Sequence, residues 1–305
     1  MSDLAHAAAI LRAACGDRVR ADFPMAPLTT FRVGGPAGLY LEPESETDLA
    51  AAGRAVTEAG IPVVVLGKGS NVLVSDGGFP GLVLRLGKSY RWSARAGDHL
   101  TAGGAMPLPA MAGVALRHSL TGLEFGVAIP ATLGGAVRMN AGAHGHEIAE
   151  VLESVEVFRL REGATVTIRA ADAGFSYRRS TLGDGAVVIG ARARLDRGEP
   201  SAIRARMDEV RAWRRATQPL AEPNCGSVFK NPRGDHAARL IEAAGGKGRR
   251  VGGASVSTKH ANFIVAEPGA RAADVVALIE EVRSLVEAHD GVHLEPEVQL
   301  VGSFP

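Results

Sequence analysis

The chain has 305 residues, of which 46% are hydrophobic and 22% charged, and a net charge of +1. Those values suit a globular protein of two or three domains and argue against a nucleic-acid partner, which a broad basic field would announce. The two cysteines, Cys15 and Cys225, offer neither metal-ligand spacing nor a disulfide framework. No run reaches the roughly 20 apolar residues of a membrane span.

In chain order, the stretch to Ala21 sets Asp3, Arg12, Asp17, Arg18 and Arg20 among alanines. It predicts an amphipathic helix and lacks the basic start and apolar centre of a secretory signal, so a cytoplasmic protein is expected. Thr30-Phe31-Arg32-Val33 leads through Gly34-Gly35 to a strand near Gly38–Leu41. Ser45 followed by Asp48 predicts a helix N-cap, and Leu49, Ala52, Val56 and Ala59 keep helical spacing up to Gly60. Pro62–Val65 is a short β-branched run that breaks into Gly67-Lys68-Gly69-Ser70-Asn71 before a further strand from Val72, and Gly81–Leu86 continues the strand series.

Glycines in the Gly67–Asn71 loop permit the positive φ angles and close amide spacing of an anion-holding nest, although a solvent-exposed hairpin turn uses the same residues. The loop is neither a P-loop nor a dinucleotide fingerprint: no Lys-Ser or Lys-Thr pair follows the last glycine, and a strand follows instead of a helix. Glycine amounts to 38 of 305 residues, about 12% against a typical ~7%. A second rich segment runs from Gly126 to Gly145, after a helix expected over Pro107–His118. Two such segments beside strand-like runs suggest one extended, phosphate-bearing cofactor; tight packing between elements is the alternative.

Strands are expected near 151–158, 165–169 and 186–193. The pattern turns helical and arginine-rich from Ser201 to Thr217, which places a domain boundary near Asp196–Pro200. Helices follow over His236–Ala244 and Ala272–His289, with strands near 261–265 and 292–301. Over Leu294–Leu300 strand alternation puts Leu294, Pro296, Val298 and Leu300 on one face and Glu295, Glu297 and Gln299 on the other. Three clusters offer chemistry. Tyr177-Arg178-Arg179 could grip a carboxylate or simply sit on a strand edge. Around Gly226-Ser227, Lys230 and Asn231 lie nearby, but no His-Asp pair completes a triad, so Ser227 is at most a positioned proton donor. Glu295 and Glu297 matter only if their face lines a pocket.

Taken in order, Thr30–Gly35, Gly67–Asn71, Gly122-Leu123-Glu124-Phe125, Gly134-Gly135 with Asn140–Gly145, Tyr177-Arg178, Gly226–Pro232, His260-Ala261-Asn262-Phe263 and Glu295–Val298 resemble the motifs of UDP-N-acetylenolpyruvoylglucosamine reductases. These flavoenzymes complete UDP-N-acetylmuramic acid in bacterial cell-wall synthesis. The short connection from Ser180 to Val187 is similar to the family's compact type, which lacks a tyrosine-bearing insertion. The resemblance implies an α+β protein: an N-terminal helical segment at 1–26, an FAD-binding region of the vanillyl-alcohol-oxidase (PCMH) type at 27–198, and a substrate domain at 199–305. The FAD region would comprise subdomains at about 27–88 and 89–198.

It further implies FAD and NADPH as cofactors and UDP-N-acetylglucosamine enolpyruvate as the small-molecule substrate. Ser227 matches the family's proton donor, and Arg178 and Glu297 match the pair that binds and polarises the substrate carboxylate. Tyr177, Lys230 and Asn231 match substrate contacts. Gly67, Lys68, Gly69, Ser70, Asn71 and Val72, with Thr132, Gly134, Gly135, Asn140, Gly142 and Gly145, match the flavin site. No metal is implied, and a monomer is favoured. Ala128 and Ala131 replace two glycines usual in the family, and their methyl groups are expected to crowd the flavin. Gly246 stands where a leucine is usual, and Ala266 where an asparagine is frequent. A flavin oxidase of the same superfamily acting on another substrate, and a nucleotide-binding module without turnover, are the competing readings.

Overall fold

The computed structural model describes residues 3–304; Met1 and Ser2 of the expected N-terminal segment and Pro305 of the expected substrate domain lie outside the described residues. The chain divides into two compact units. The first comprises Met1–Asp22, Gly38–Lys68 and Pro80–Trp213, and the second Phe23–Ala37, Gly69–Phe79 and Arg214–Pro305.

In the first unit, α1 (Leu4–Cys15) and α2 (Glu46–Ala59) contribute Leu11, Leu49, Ala52 and Ala55 to one core. A four-stranded sheet contributes Leu39, Leu41, Leu82 and Leu84 to it. The α2 caps are as the sequence predicts: the Ser45 hydroxyl accepts from the Asp48 amide at 3.2 Å, and Gly60 ends the helix at φ +62°. The N-terminal helix is shorter than expected. It stops at Cys15, and Arg20–Pro24 is a strand at the edge of the four-stranded sheet. Gly16 turns the chain at φ +58°, and the charged residues that follow keep that edge in water.

A second sheet in this unit is antiparallel, ordered Ala164–Arg169, Leu152–Arg159, Ala186–Arg194, His99–Gly103 and Ser93–Ala96. Against it pack α3 (Leu108–Arg117) and α4 (Leu133–Arg138), together with Ile203, Met207 and Val210 of α5 (Pro200–Thr217). The strands at 93–96 and 99–103 and the helix α4 were not anticipated. Glycine-rich α4 has poor intrinsic helix propensity; buried Leu133, Ala136 and Val137 hold it instead. The border between the two units falls within α5, between Trp213 and Arg214.

The second unit is built on α6 (Ala237–Ala243), α7 (Ala272–Asp290) and a three-stranded sheet of Arg250–Val251, Ala254–Val256 and Ile264–Ala266. Val275, Leu278, Ile279, Val282 and Val286 form the buried stripe of α7, as their spacing predicts. Phe31 and Val33 enter the same core, while Gly34 and Gly35 lie against the 74–78 turn. A Cβ on Gly34 would fall 2.6 Å from the Val74 carbonyl oxygen, and one on Gly35 2.3 Å from that of Asp76. Strands Val72–Val74 and Gln299–Val301 pair in parallel.

The long alternating strand expected over 292–301 is absent, and only Gln299–Val301 is a strand. Leu294 is 1% exposed and Val298 4%, but Leu300 is 49% exposed. The chain bends at Val298, and its preceding backbone bonds go to a loop at 228–230 and not to a sheet ladder. Among the described residues no helix is long and apolar enough to cross a membrane, and no cluster of three metal-ligating side chains exists.

Candidate functional site

The Gly67–Asn71 loop leaves strand Val63–Val65 with five successive backbone N–H groups that have no acceptor among the described residues. Its glycines are constrained by different neighbours. A Cβ on Gly67 would fall 2.6 Å from the Thr132 hydroxyl. Gly69 takes φ +60°, and a Cβ there would fall 2.3 Å from the Leu28 carbonyl oxygen. Successive unpartnered amides on a glycine-rich loop are a donor set suited to an anion such as a diphosphate. The residues therefore fit a phosphate-bearing cofactor. Ser70 and Val72 are half-buried and Lys68 is exposed.

The second glycine segment differs from the first. The Gly134 amide donates to the Gly104 carbonyl at 2.9 Å, and the Gly135 amide to the Thr132 hydroxyl at 3.2 Å. A Cβ on Gly134 would lie 3.1 Å from the Val188 carbonyl oxygen. These two glycines seat α4 against the sheet, and their amides are already used. Ala128 and Ala131 are half-buried, and neither has positive φ, so alanine adds no backbone strain at either place. Gly246 has its own reason: a Cβ would fall 2.5 Å from the Ile241 Cγ2.

Asn140 is buried at φ +41°. Its amide nitrogen donates to Glu147 Oε2 at 2.7 Å and to the Ser176 carbonyl at 3.0 Å, while its oxygen accepts from the Ala149 amide at 3.2 Å. It joins the 142–147 hairpin to the turn that presents Arg178. In that turn Ser176 and Arg179 exchange two backbone hydrogen bonds of 3.0 Å, with Tyr177 and Arg178 at the corner. Arg178 takes φ +54°, where a turn ordinarily places glycine or asparagine. Its guanidinium donates to the Gly142 carbonyl at 2.9 Å, lies 3.7 Å from Glu147 Oε1, and covers the Tyr177 ring with 4.8 Å to the centroid. A Cβ on Gly142 would come within 3.1 Å of Arg178 Nη1, so Gly142 makes room for the arginine. Gly145, at φ +81°, closes the hairpin in open space.

The second unit carries Ser227 and Glu297 on a stitched pair of loops. The amide of Gly226, which stands at φ +80°, donates to Asn224 Oδ1 at 2.8 Å in an Asx-type turn. The Val228 carbonyl accepts from the Glu297 amide at 2.7 Å, and the Lys230 amide donates to the Glu295 carbonyl at 2.9 Å. Buried Asn262 clamps the first loop. Its Oδ1 accepts from the Phe229 amide at 2.9 Å, and its Nδ2 donates to the Phe229 carbonyl at 2.8 Å. Asn71, at the end of the glycine loop, fixes the other: its Nδ2 donates to the Glu297 carbonyl at 3.0 Å, and its own carbonyl accepts from Gln299 at 3.0 Å.

Half-buried Ser227 has no hydrogen bond to its hydroxyl among the described residues, which leaves it able to donate to a bound molecule. Cys225 is buried beside this loop; burial and the nearby Glu297 carboxylate push its thiol well above the ordinary range, so it stays an uncharged packing residue. Lys230 pairs with Glu295, and Asn231 Oδ1 accepts from the Ala237 amide at 3.1 Å at the start of α6. On α5, Arg211 pairs with Asp208 and Arg214 with Gln218.

Of the expected site residues, then, Asn140, Gly142, Tyr177 and Arg178 share one network, and Asn71, Ser227, Lys230 and Glu297 share another. Glu147 and the clamp role of Asn262 were not foreseen. The buried asparagine in His260-Ala261-Asn262-Phe263 was the available signal for the latter; Glu147, an ordinary surface glutamate by sequence, gave none.

Two family models match the chain. The "FAD binding domain" model covers residues 37–192 and the "UDP-N-acetylenolpyruvoylglucosamine reductase, C-terminal domain" model covers 218–301. UDP-N-acetylenolpyruvoylglucosamine reductase from Rubrobacter xylanophilus is 47% identical over 92% of this chain and 94% of its own length. The protein of the same name from Anaeromyxobacter dehalogenans is 45% identical over 97% of this chain and 89% of its own. Among solved structures, UDP-N-acetylenolpyruvylglucosamine reductase from Thermus caldophilus aligns with a TM-score of 0.81 at 37% identity, covering 93% of this chain and 99% of that one. With an α+β, FAD-binding region followed by the reductase-type C-terminal domain, the chain belongs to the UDP-N-acetylenolpyruvoylglucosamine reductase family.

Proposed function

We propose that the protein reduces UDP-N-acetylglucosamine enolpyruvate to UDP-N-acetylmuramate for peptidoglycan synthesis, acting as a monomeric cytoplasmic enzyme with FAD and NADPH. The observation that supports this most is the stitched pair of loops that holds Ser227 and Glu297 and is tied to Asn71 of the glycine loop. When bound, FAD reduced by NADPH supplies the hydride for the methylene carbon of the enolpyruvyl group. Gly67 to Val72 and Thr132 hold the cofactor, the amides of the loop facing its diphosphate; Gly134, Gly135, Asn140, Gly142 and Gly145 shape the surrounding backbone.

Arg178 binds the substrate carboxylate, and with Glu297 it stabilises the negative charge that develops as hydride is added. Ser227 then delivers a proton from its hydroxyl to the carbon next to the carboxylate. Tyr177, Lys230 and Asn231 contact the rest of the nucleotide sugar.

The test is anaerobic. The flavin spectrum of the purified protein is recorded, NADPH is added, and the enolpyruvyl sugar nucleotide follows. Bleaching by NADPH and recovery with the substrate are expected. Bleaching without recovery would transfer the protein to another acceptor, as would rapid reoxidation by oxygen with a different sugar donor. Failure to bind flavin at all would refute the enzymatic reading.

A further inference from the structure

Arg178 stands at φ +54°, a conformation that a non-glycine residue keeps only when its surroundings impose it. The turn sets that backbone, since a two-residue corner with positive φ only at its second residue has the type II shape. The side chain is fixed separately, by its seat on the opposite hairpin, where Glu147 lies at the centre. One oxygen of Glu147 accepts from Asn140 at 2.7 Å, and the other faces Arg178 Nη1 at 3.7 Å. The Glu147 amide also donates to Glu150 Oε1 at 3.0 Å, which fixes the backbone that carries the carboxylate. A carboxylate tied on one oxygen to buried Asn140, on a backbone that is itself pinned, moves little, and it limits where the guanidinium facing its other oxygen points. Asn140 reinforces this by bonding Glu147 and the Ser176 carbonyl together.

We infer that Glu147 is a positioning residue: it aims the Arg178 guanidinium at the substrate carboxylate without itself touching the substrate. The inference rests on the proposed role of Arg178 as the carboxylate-binding residue. Glu147 Oε1 and the Gly142 carbonyl together set the plane of the guanidinium on the hairpin. A substrate lacking the carboxylate does not feel that orientation.

The test compares Glu147→Gln, Arg178→Ala and the double variant in the holoenzyme. Glutamine keeps an acceptor for Asn140, so folding is spared while the charge facing Arg178 is lost. E147Q is expected to lower kcat/KM for the enolpyruvyl substrate roughly 10- to 100-fold, the scale of a misplaced catalytic group. Flavin content, flavin reduction by NADPH and the affinity for UDP-N-acetylglucosamine, which has no carboxylate, should stay at wild-type values. In the Arg178→Ala background E147Q should add nothing, because Glu147 acts through Arg178.

Wild-type turnover by E147Q with a crippled R178A would overturn the positioning role and leave the proposed function standing. Wild-type turnover by R178A would overturn the role of Arg178 and the inference with it. An equal loss of UDP-N-acetylglucosamine binding or of flavin in E147Q would assign Glu147 a general structural role and also overturn the inference.

Discussion

Replacing Asn262 by alanine strips both partners from the Phe229 peptide groups. The Phe229 amide donates to Asn262 Oδ1 at 2.9 Å and the Phe229 carbonyl accepts from Nδ2 at 2.8 Å, and both residues are buried. Each orphaned buried polar group costs about 1–3 kcal/mol, so losing both partners costs about 2–6 kcal/mol. The backbone bond from Val228 to the Asn262 carbonyl, 2.9 Å, survives. The loss therefore concentrates at Phe229, two residues beyond Ser227. Thermal unfolding of N262A should fall by at least about 4 °C. Reduction of bound flavin by NADPH should be unaffected, while transfer to the enolpyruvyl substrate should slow by up to roughly 100-fold. Aspartate at 262 should not rescue, because its second oxygen would face the Phe229 carbonyl. An N262A protein that melts with wild type and reoxidises at the wild-type rate would refute the clamp.

Three other outcomes follow from the same geometry. Ser227→Ala should retain flavin and its reduction by NADPH yet lose roughly 10²–10⁴ in substrate turnover, the usual range for a general acid; stopped-flow reoxidation at the wild-type rate would remove Ser227 from the reaction. Asp48 is buried under the paired bonds of Arg18, 2.6 and 2.7 Å, and these bonds hold its carboxyl down to about 2. Because the folded value is depressed below the unfolded ~3.9, its stabilisation is complete above about pH 4 and is lost as pH falls through about 2. Acid unfolding followed by circular dichroism should thus steepen between those values in the wild type and flatten in Asp48→Asn; equal slopes would contradict the pairing. Arg178→Gly should be more stable than Arg178→Ala by up to about 1 kcal/mol, since the left-handed region costs an L-residue roughly 1–2 kcal/mol and glycine returns about 0.5–1 in chain entropy. Urea midpoints with alanine at or above glycine would show that the corner is not strained.

Most of the helices were legible because each carries a local signal that tertiary packing then reinforces. Ser45 and Gly60 bracket α2, and the apolar stripe of α7 needs no knowledge of its neighbours. The alternation over 294–300 was misleading for the converse reason. Its peptide groups bond to Val228, Lys230 and Asn71, partners 60 or more residues away, and no local pattern encodes that choice. The same holds for the site. Residue types alone could not select Ser227, Arg178 or Glu297 over solvated alternatives; only their ordered resemblance to a family did so. Cys225, in the same loop as Ser227, is buried and serves as a packing residue, which residue type alone does not reveal.

The two networks restrain their loops by different physical means. Around Arg178 the backbone itself is forced: Asn140 at φ +41°, His144 at +54° and Arg178 at +54° lie in two short loops joined by Asn140 and Glu147. Around Ser227 the only left-handed residue of the 224–231 loop is Gly226, where that conformation is inexpensive, and a buried asparagine supplies the restraint. The difference suits the roles proposed for the two groups. A guanidinium that recognises a planar carboxylate must present a fixed fork, and strain over-determined by several contacts delivers that precision. A serine hydroxyl that gives up a proton must rotate to meet its acceptor, so its loop is anchored at Val228 and Phe229 while the hydroxyl itself is left unbound by protein among the described residues. Tightening Ser227 with a new protein acceptor would therefore compete with proton delivery, whereas loosening Arg178 would scatter the fork.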